Sequence, residues 1–248
     1  MGCDIHLYVE RKVDGKWVSA DMWKPDPDTD EEEGGPRMIV ERADRFYKGR
    51  NYDLFGMLAN VRNGRGFAGC VTGTGFEPIS MPKGLPEDVS PEVKAESDCW
   101  NGDGHSHSWL TLAELKAYDW EGKKTEHLGH VDIVNFAVFE RQGTPGSYSG
   151  GVTGQRVKYV SHDEMRALVE EHKALIEGLI AQSEGGVAWP TYHEQLYKMD
   201  LDIYHTIIKW EEVYAGAAGH FVTETIPKLE SLSYGNPENV RIVFFFDN

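Results

Sequence analysis

The chain has 248 residues, with 25 basic and 41 acidic side chains and a formal net charge of −16 at pH 7. This acidity disfavours binding to duplex nucleic acid, which requires a basic surface. No run approaches the roughly 20 apolar residues that a membrane-spanning helix needs. The hydrophobic fraction of 40% and the seven tryptophans predict one globular domain over residues 1–248. Three widely spaced cysteines are typical of a reducing cytoplasm.

The first readable element is a strand at the start of the chain. Apolar and polar residues alternate with period two over Cys3–Glu10. This alternation predicts a strand with one face in the core and with Asp4 and His6 side by side on the other face. Asp14 and the glycine after it form a turn signal, so residues 16–19 are predicted to return as a second strand.

Residues 24–36, with the sequence KPDPDTDEEEGGP, form an acidic loop. The segment contains no apolar residue to bury, so we predict that it is mobile. The spacing of Asp26, Asp28 and Asp30 is similar to that of a calcium-binding loop. Glu31 stands where such a loop requires glycine, however, which favours an ordinary solvated loop.

Arg50 directly precedes a predicted short helix. Residues 51–61 have the apolar spacing of an amphipathic helix, with Asn51 as its N-cap and Tyr52 at its start. Anions bind readily at helix N-termini, where backbone N–H groups are unpaired. Arg50, with Tyr52 beside it, is therefore a candidate for holding a phosphate group.

Two histidines, His105 and His107, lie just before another helix start, where Thr111 and Glu114 form a capping box. In an extended segment, residues i and i+2 point the same way, with their side chains roughly 6–7 Å apart. Two imidazoles so placed can bind one metal ion. The alternative is that both rings satisfy backbone groups or lie on a loop.

The rest of the chain predicts long helices and a final strand. Helices are expected over 161–184 and 191–214, and the apolar run over 240–248 predicts a strand that ends near Asp247. We therefore predict an α+β fold with a mixed or antiparallel central sheet. This sheet contains both terminal segments, 3–10 and 239–247, and the two long helices pack on one side.

Three segments together resemble a family of small proteins encoded by bacteriophages and prophages: MGCDIHLYVE at the start, GHSHSWL in the middle and VRIVFFFDN at the end. The segments GRNYDLF at 49–55 and PKGLP at 82–86 are also similar to family segments. The resemblance implies a phage origin and an accessory role in the cytoplasm of the host cell. It does not imply a particular reaction.

The candidate site follows from the two histidine-bearing strands. If their polar faces meet, Asp4, His6, His105 and His107 form a ligand set that suits Zn, Mn or Fe. Asp247 would ligate or orient an imidazole from behind, and Arg50 would hold a phosphate. A metal bound there would lower the pKa of bound water and allow hydrolysis of a phosphoester in a nucleotide-like small molecule.

Two other classes of function stay open from the sequence. The protein could bind without turnover, either by sequestering a nucleotide signal or by inhibiting a host defence protein. In that case an aromatic residue among Tyr8, Trp100, Trp109 and Trp120 would stack on a base, while Arg50 and the glycine-rich loop over 63–76 hold the phosphates. It could also be an acidic structural or assembly protein whose histidines only pack.

Overall fold

The computed structural model describes residues 2–27, 37–184 and 202–247. Its strands are β1 (Asp4–Val13), β2 (Lys16–Ser19), β3 (Trp23–Pro25), β4 (Met38–Val40), β5 (His105–Thr111), β6 (Lys124–Asp132), β7 (Val157–Tyr159), β8 (Ile203–Val213) and β9 (Val240–Asp247). Its α-helices are α1 (Tyr52–Ala59), α2 (Pro91–Trp100), α3 (Leu112–Ala117), α4 (Ile133–Gln142), α5 (His162–Glu171), α6 (Lys173–Glu184), α7 (Tyr214–Ala218) and α8 (Ile226–Leu232).

The chain divides into two compact units. The first consists of Met1–Asn63, Phe76–Lys123 and Val213–Asn248, and the second consists of Gly64–Gly75 and Lys124–Glu212. Both ends of the chain therefore belong to the first unit.

A four-stranded sheet with the order β2-β1-β9-β5 forms the centre of the first unit. All three strand pairs are antiparallel. In the register of β1 and β9, Asp4 lies opposite Asp247 and Arg11 lies opposite Val240. The predicted α+β class is therefore confirmed, and so is the prediction that both terminal segments lie in one antiparallel sheet.

The two faces of this sheet bury different side chains, because successive residues of a strand point in opposite directions. One face carries Ile5 and Phe246 into a large core that includes residues of α1, α3, α7 and α8. The other face carries Tyr8 and Phe245 into a smaller cluster with Trp100 of α2. Strand β9 is buried on both faces, which explains why its apolar run has no polar alternation.

Helix ends in the first unit follow the predicted capping chemistry. The Asn51 side chain accepts hydrogen bonds from the backbone N–H groups of Asp53 and Leu54, at 2.9 and 3.2 Å, and so begins α1. Thr111 and Glu114 form the expected reciprocal capping box at α3. Arg50 therefore lies just before the start of α1, and β5 leads directly into α3.

The first residues of the acidic loop belong to a strand. Strands β3 and β4 pair antiparallel, with Lys24 opposite Ile39 and Pro25 opposite Met38. The Lys24 ammonium also contacts the carboxylate of Asp44 at 2.8 Å. Backbone pairing therefore includes Lys24 and Pro25, and the mobility of the loop stays a prediction. Residues 28–36 lie outside the described residues, and the calcium alternative depends on two aspartates there.

The second unit contains a three-stranded sheet with the order β6-β8-β7, in which β7 and β8 are parallel. Helices α4, α5 and α6 share a core with β8, in which Phe136, Met165 and Ile176 pack with Ile208 and Trp210. The predicted helix over 161–184 is present as α5 and α6, which are separated at His172.

The predicted helix over 191–214 is wrong for Ile203–Val213, which forms β8. In this segment Ile208 and Trp210 are buried while Ile207 and Lys209 are exposed. That is the period-two burial of a strand with one covered face. The apolar spacing that suggested a helix also fits a strand, and the β-branched and aromatic residues of the segment favour the strand. The earlier part, 191–201, lies outside the described residues.

Candidate functional site

The ends of the two terminal strands bring a histidine and an aspartate into contact. Asp247 Oδ2 lies 3.2 Å from Nε2 of His6, and its Oδ1 accepts a hydrogen bond from the backbone N–H of Asp4 at 2.9 Å. The side chains of His6 and Asp247 are 11% and 18% exposed, so the pair lies at the rim of the protein interior. Three of the predicted site residues therefore meet at one end of the sheet.

Two aromatic rings fix the orientation of His6. Its ring centroid lies 4.2 Å from that of Trp100 and 4.8 Å from that of Phe245, with the Phe245 ring almost parallel. Desolvation by this burial lowers the pKa of His6, and the hydrogen bond that His6 makes to the Asp247 carboxylate only partly opposes this effect. His6 is therefore neutral near pH 7. Its Nδ1 atom has no hydrogen-bond partner in the described part of the chain.

Arg50 joins this group from the segment before α1. Its Nε atom lies 3.1 Å from Oδ1 of Asp4 and donates a hydrogen bond to the backbone carbonyl of Cys3 at 3.0 Å. Gly2 lies directly beside this side chain, since a Cβ atom there would be 1.8 Å from Nη2 of Arg50 and would displace the guanidinium. Among the described residues, none forms a hydrogen bond with Nη1 or Nη2 of Arg50, so these two nitrogens can donate hydrogen bonds to a ligand.

Tyr52 and Arg62 complete the arrangement. The Tyr52 hydroxyl accepts a hydrogen bond from the backbone N–H of Cys3 at 3.1 Å. The guanidinium groups of Arg50 and Arg62 lie 5.9 and 5.3 Å from the centroid of the Tyr52 ring. Arg62, which the sequence did not single out, also donates to the carbonyl of Gly2 at 3.3 Å. We define the sheet-end cluster as Asp4, His6, Arg50, Tyr52, Arg62 and Asp247.

The two histidines of β5 do not share a face, contrary to the prediction. His105 pairs with Phe246 and Ser108 pairs with Phe244, so β5 has one more residue than β9 in this interval. Ser106 adopts a φ of 52°, the left-handed conformation that a bulge residue can take. The bulge interrupts the alternation, so His105 lies over Phe246 on one face and His107 lies over Phe245 on the other.

The four predicted metal ligands are consequently spread out. His6 and His107 share a face, but both stack on Phe245, at 4.8 and 4.9 Å, from the strands on either side of β9. Two strand spacings separate those strands by roughly 9–10 Å, so one ion cannot bridge both imidazoles. No group of three or more His, Cys, Asp or Glu side chains in the described ranges is placed to hold a metal.

His107 belongs to a different depression. Its Nε2 atom lies 2.9 Å from the hydroxyl of Ser97 in α2, and both residues line an open depression of about 590 Å³ with Asn101 and Gly84. Burial lowers the pKa of His107, and the nearby His105 adds to this effect. The sequence offered no signal for the contact with Ser97, because it depends on how α2 packs against β5.

Of the aromatic residues predicted to stack on a base, Trp100 packs on His6 of the sheet-end cluster, whereas Tyr8 and Trp109 lie elsewhere. Tyr8 is buried and stacks on Trp23 at 5.2 Å, and desolvation raises the pKa of its hydroxyl. Trp109 lies further along β5, under the ammonium of Lys83 at 4.0 Å from its ring centroid. Tyr8 therefore offers no free ring face to a base, because it is buried, and Trp109 lies near the other end of the sheet from Asp4, opposite Val243 of β9.

These features define a class of protein. It is an α+β protein whose central antiparallel sheet joins the two ends of the chain and carries a His–Asp pair next to an arginine. No protein-family model, curated protein or solved structure matches this chain. Within the residues described, no helix has the length and apolar character needed to cross a membrane.

Proposed function

We propose that the sheet-end cluster binds a phosphate-bearing, nucleotide-like small molecule and that His6 and Asp247 promote hydrolysis of its phosphoester. The supporting observation is that the outer guanidinium nitrogens of Arg50 have no hydrogen-bond partner among the described residues. Arg50 forms an ion pair with Asp4, and the Asp4 backbone donates a hydrogen bond to Asp247 of the His–Asp pair. In line with the family resemblance, the protein would be an accessory protein of a bacteriophage that acts inside the host cell.

Phosphate binding would fall to Arg50. Its Nε is committed to Asp4 and to the Cys3 carbonyl, which fixes the plane of the guanidinium. The outer nitrogens then form a fork that suits two oxygens of one phosphate group. The side chain is 49% exposed, so a ligand can reach it from solvent.

His6 would act as the general base. Desolvation keeps its imidazole neutral near pH 7, and Asp247 accepts from Nε2–H, so Nδ1 carries the free lone pair. Nδ1 takes a proton from water as the water oxygen bonds to phosphorus and the bond to the leaving oxygen breaks. Asp247 stabilises the imidazolium that forms, and this then returns the proton to the leaving oxygen.

Metal dependence stays a prediction. Asp4 reaches Asp247 only through its backbone N–H, so the side chains of His6 and Asp247 are the two potential ligands in contact. Two ligands are fewer than the three that a catalytic zinc site uses. The incomplete ligand set favours the second candidate function, a binder that sequesters a nucleotide signal or inhibits a host defence protein. An acidic structural or assembly role is the third.

One experiment separates these functions. Purified protein is assayed with bis(p-nitrophenyl) phosphate, with and without EDTA, and its binding of a nucleotide panel is measured by calorimetry. We expect His6→Gln to abolish turnover but not binding, and Arg50→Ala to weaken binding at least tenfold. Arg42→Ala is the matched control, because Arg42 is exposed and makes no contact that the structure shows.

The outcomes are distinct. Turnover in the presence of EDTA supports hydrolysis in which His6 is the general base. Turnover that EDTA abolishes supports metal-dependent hydrolysis. Binding without turnover supports the sequestering role. If the wild-type protein neither binds nor hydrolyses any of these molecules, the proposed function is wrong.

A further inference from the structure

The charges around Arg50 limit the kind of phosphate that the sheet-end cluster accepts. Asp4 lies 3.1 Å from Nε of Arg50, and Asp247 lies beside Asp4, with its Oδ1 2.9 Å from the Asp4 backbone nitrogen. One carboxylate, that of Asp4, therefore pairs with the guanidinium that would hold the ligand, and a second, that of Asp247, lies next to the Asp4 backbone. Asp4 is 54% exposed, so its charge faces the same solvent from which the ligand arrives.

The remaining charged groups nearby do not change this balance. Arg62 adds a positive charge that offsets one of the two aspartates, and it is directed at the Gly2 carbonyl and the Tyr52 ring. Outside the cluster, Glu96 and Arg45 carry opposite charges and act in opposite directions on the pKa of His6. The cluster is therefore close to neutral before any ligand binds.

A near-neutral cluster with nearby carboxylates discriminates between phosphate esters by their charge. A phosphodiester carries a single negative charge at neutral pH, whereas a phosphomonoester carries about −1.5 to −2. A single charge can be matched by Arg50. The additional charge of a monoester has no free cation in this cluster and is repelled by Asp4 and Asp247.

We infer that the sheet-end cluster selects a phosphodiester over a phosphomonoester, and that Asp4 enforces this selection. The inference rests on the proposed function, since it concerns the ligand of the same site. The substrate class is therefore a nucleotide whose phosphate is esterified on two sides, such as a cyclic nucleotide or a dinucleotide.

Two probes with the same leaving group test the inference. The value of kcat/KM is measured for bis(p-nitrophenyl) phosphate and for p-nitrophenyl phosphate with the full-length protein at pH 7.5. We expect the diester to be preferred at least tenfold by the wild-type protein. Asp4→Asn removes the carboxylate but keeps its size, and we expect it to reduce this preference at least threefold.

Asp4→Glu is the matched control, because it keeps the charge, and it should retain the wild-type preference. Thermal melting checks that each variant is folded. If binding occurs without turnover, the ratio of the two dissociation constants replaces the ratio of kcat/KM. A preference for the monoester, or the same ratio in Asp4→Asn and wild type, overturns the inference while leaving the proposed function intact. Failure to bind or hydrolyse either probe or any nucleotide would instead remove both.

Discussion

Asp247 Oδ2 contacts Nε2 of His6 at 3.2 Å, although 241 residues separate the two in the sequence. The contact exists because β1 and β9 pair antiparallel, which places the start of one strand beside the end of the other. The same pairing lets Asp247 accept a hydrogen bond from the backbone of Asp4. The two ends of the chain thus complete one site, and neither end contains it alone.

Stability should fall in mild acid because of His6 and His107. Burial lowers the pKa of both imidazoles below the ordinary value of 6.5. The unfolded chain therefore binds protons more readily, so this stabilisation is complete above about pH 6.5 and is lost as the pH falls below it. Thermal melting between pH 5 and 8 should show the loss in the wild type and a smaller loss in His6→Gln. His220→Gln, at a highly exposed position, should not differ from wild type.

Asp21 should lower the stability of the protein as the pH rises, in contrast to His6 and His107. Its Oδ2 accepts a hydrogen bond from the backbone N–H of Val9 at 2.7 Å, while its buried Oδ1 has no partner in the ranges described. Burial raises its pKa to about 7, so its contribution is complete below pH 3.8 and is lost as the pH rises through 7.

Asp21→Asn should therefore stabilise the protein at pH 8 by about 1–3 kcal/mol, since the amide keeps the acceptor without the buried charge. The measurement is urea unfolding at pH 5 and pH 8, where the gain should be clearly smaller at pH 5. If Asp21→Asn changes the free energy of unfolding equally at the two pH values, or lowers it, burial does not destabilise the charged form of Asp21. Asp14→Asn, on an exposed turn, is the control.

The buried pair of Glu10 and Arg241 should be sensitive to loss of one partner. Arg241 Nε lies 2.7 Å from Oε2 of Glu10, and the two side chains are 3% and 0% exposed. Glu10→Ala should lower the free energy of unfolding by about 3–5 kcal/mol, because it leaves a buried guanidinium partly uncompensated. The double variant Glu10→Leu with Arg241→Met should recover most of this loss in guanidinium unfolding. A single variant that unfolds like the wild type would contradict the prediction.

The bulge at Ser106 should tolerate glycine but not a β-branched residue. Its φ of 52° is accessible to glycine without strain, whereas valine there would cost about 1–3 kcal/mol. Ser106→Val should therefore melt well below Ser106→Gly, with the latter close to wild type. Ser147→Val, at a position with an ordinary negative φ, should show no such penalty. Equal melting of the valine and glycine variants at 106 would argue against the bulge.

The sequence predicted the elements whose signals are local. Period two over Cys3–Glu10 placed Asp4 and His6 on one face of a strand, and the capping residues Asn51 and Thr111 marked helix starts that the structure confirms. Such signals need only neighbouring residues, because alternation and capping follow from backbone geometry within a few positions. The apolar run of β9 likewise predicted a strand, which the structure confirms.

Only the tertiary structure decided which of these residues meet. The bulge at Ser106, which separates His105 from His107, has no local signal, because serine seldom adopts a positive φ and does so here within the pairing with β9. Residues 203–213 had a spacing that fits either a helix or a strand, and pairing in a sheet decided in favour of the strand. The approach of Arg50 to Asp4, and of Asp247 to His6, depends on contacts between segments far apart in the chain. The sequence alone thus determined the elements that have local signals, while pairing of β1 with β9 brought His6 to Asp247, and packing of the segment before α1 brought Arg50 to Asp4.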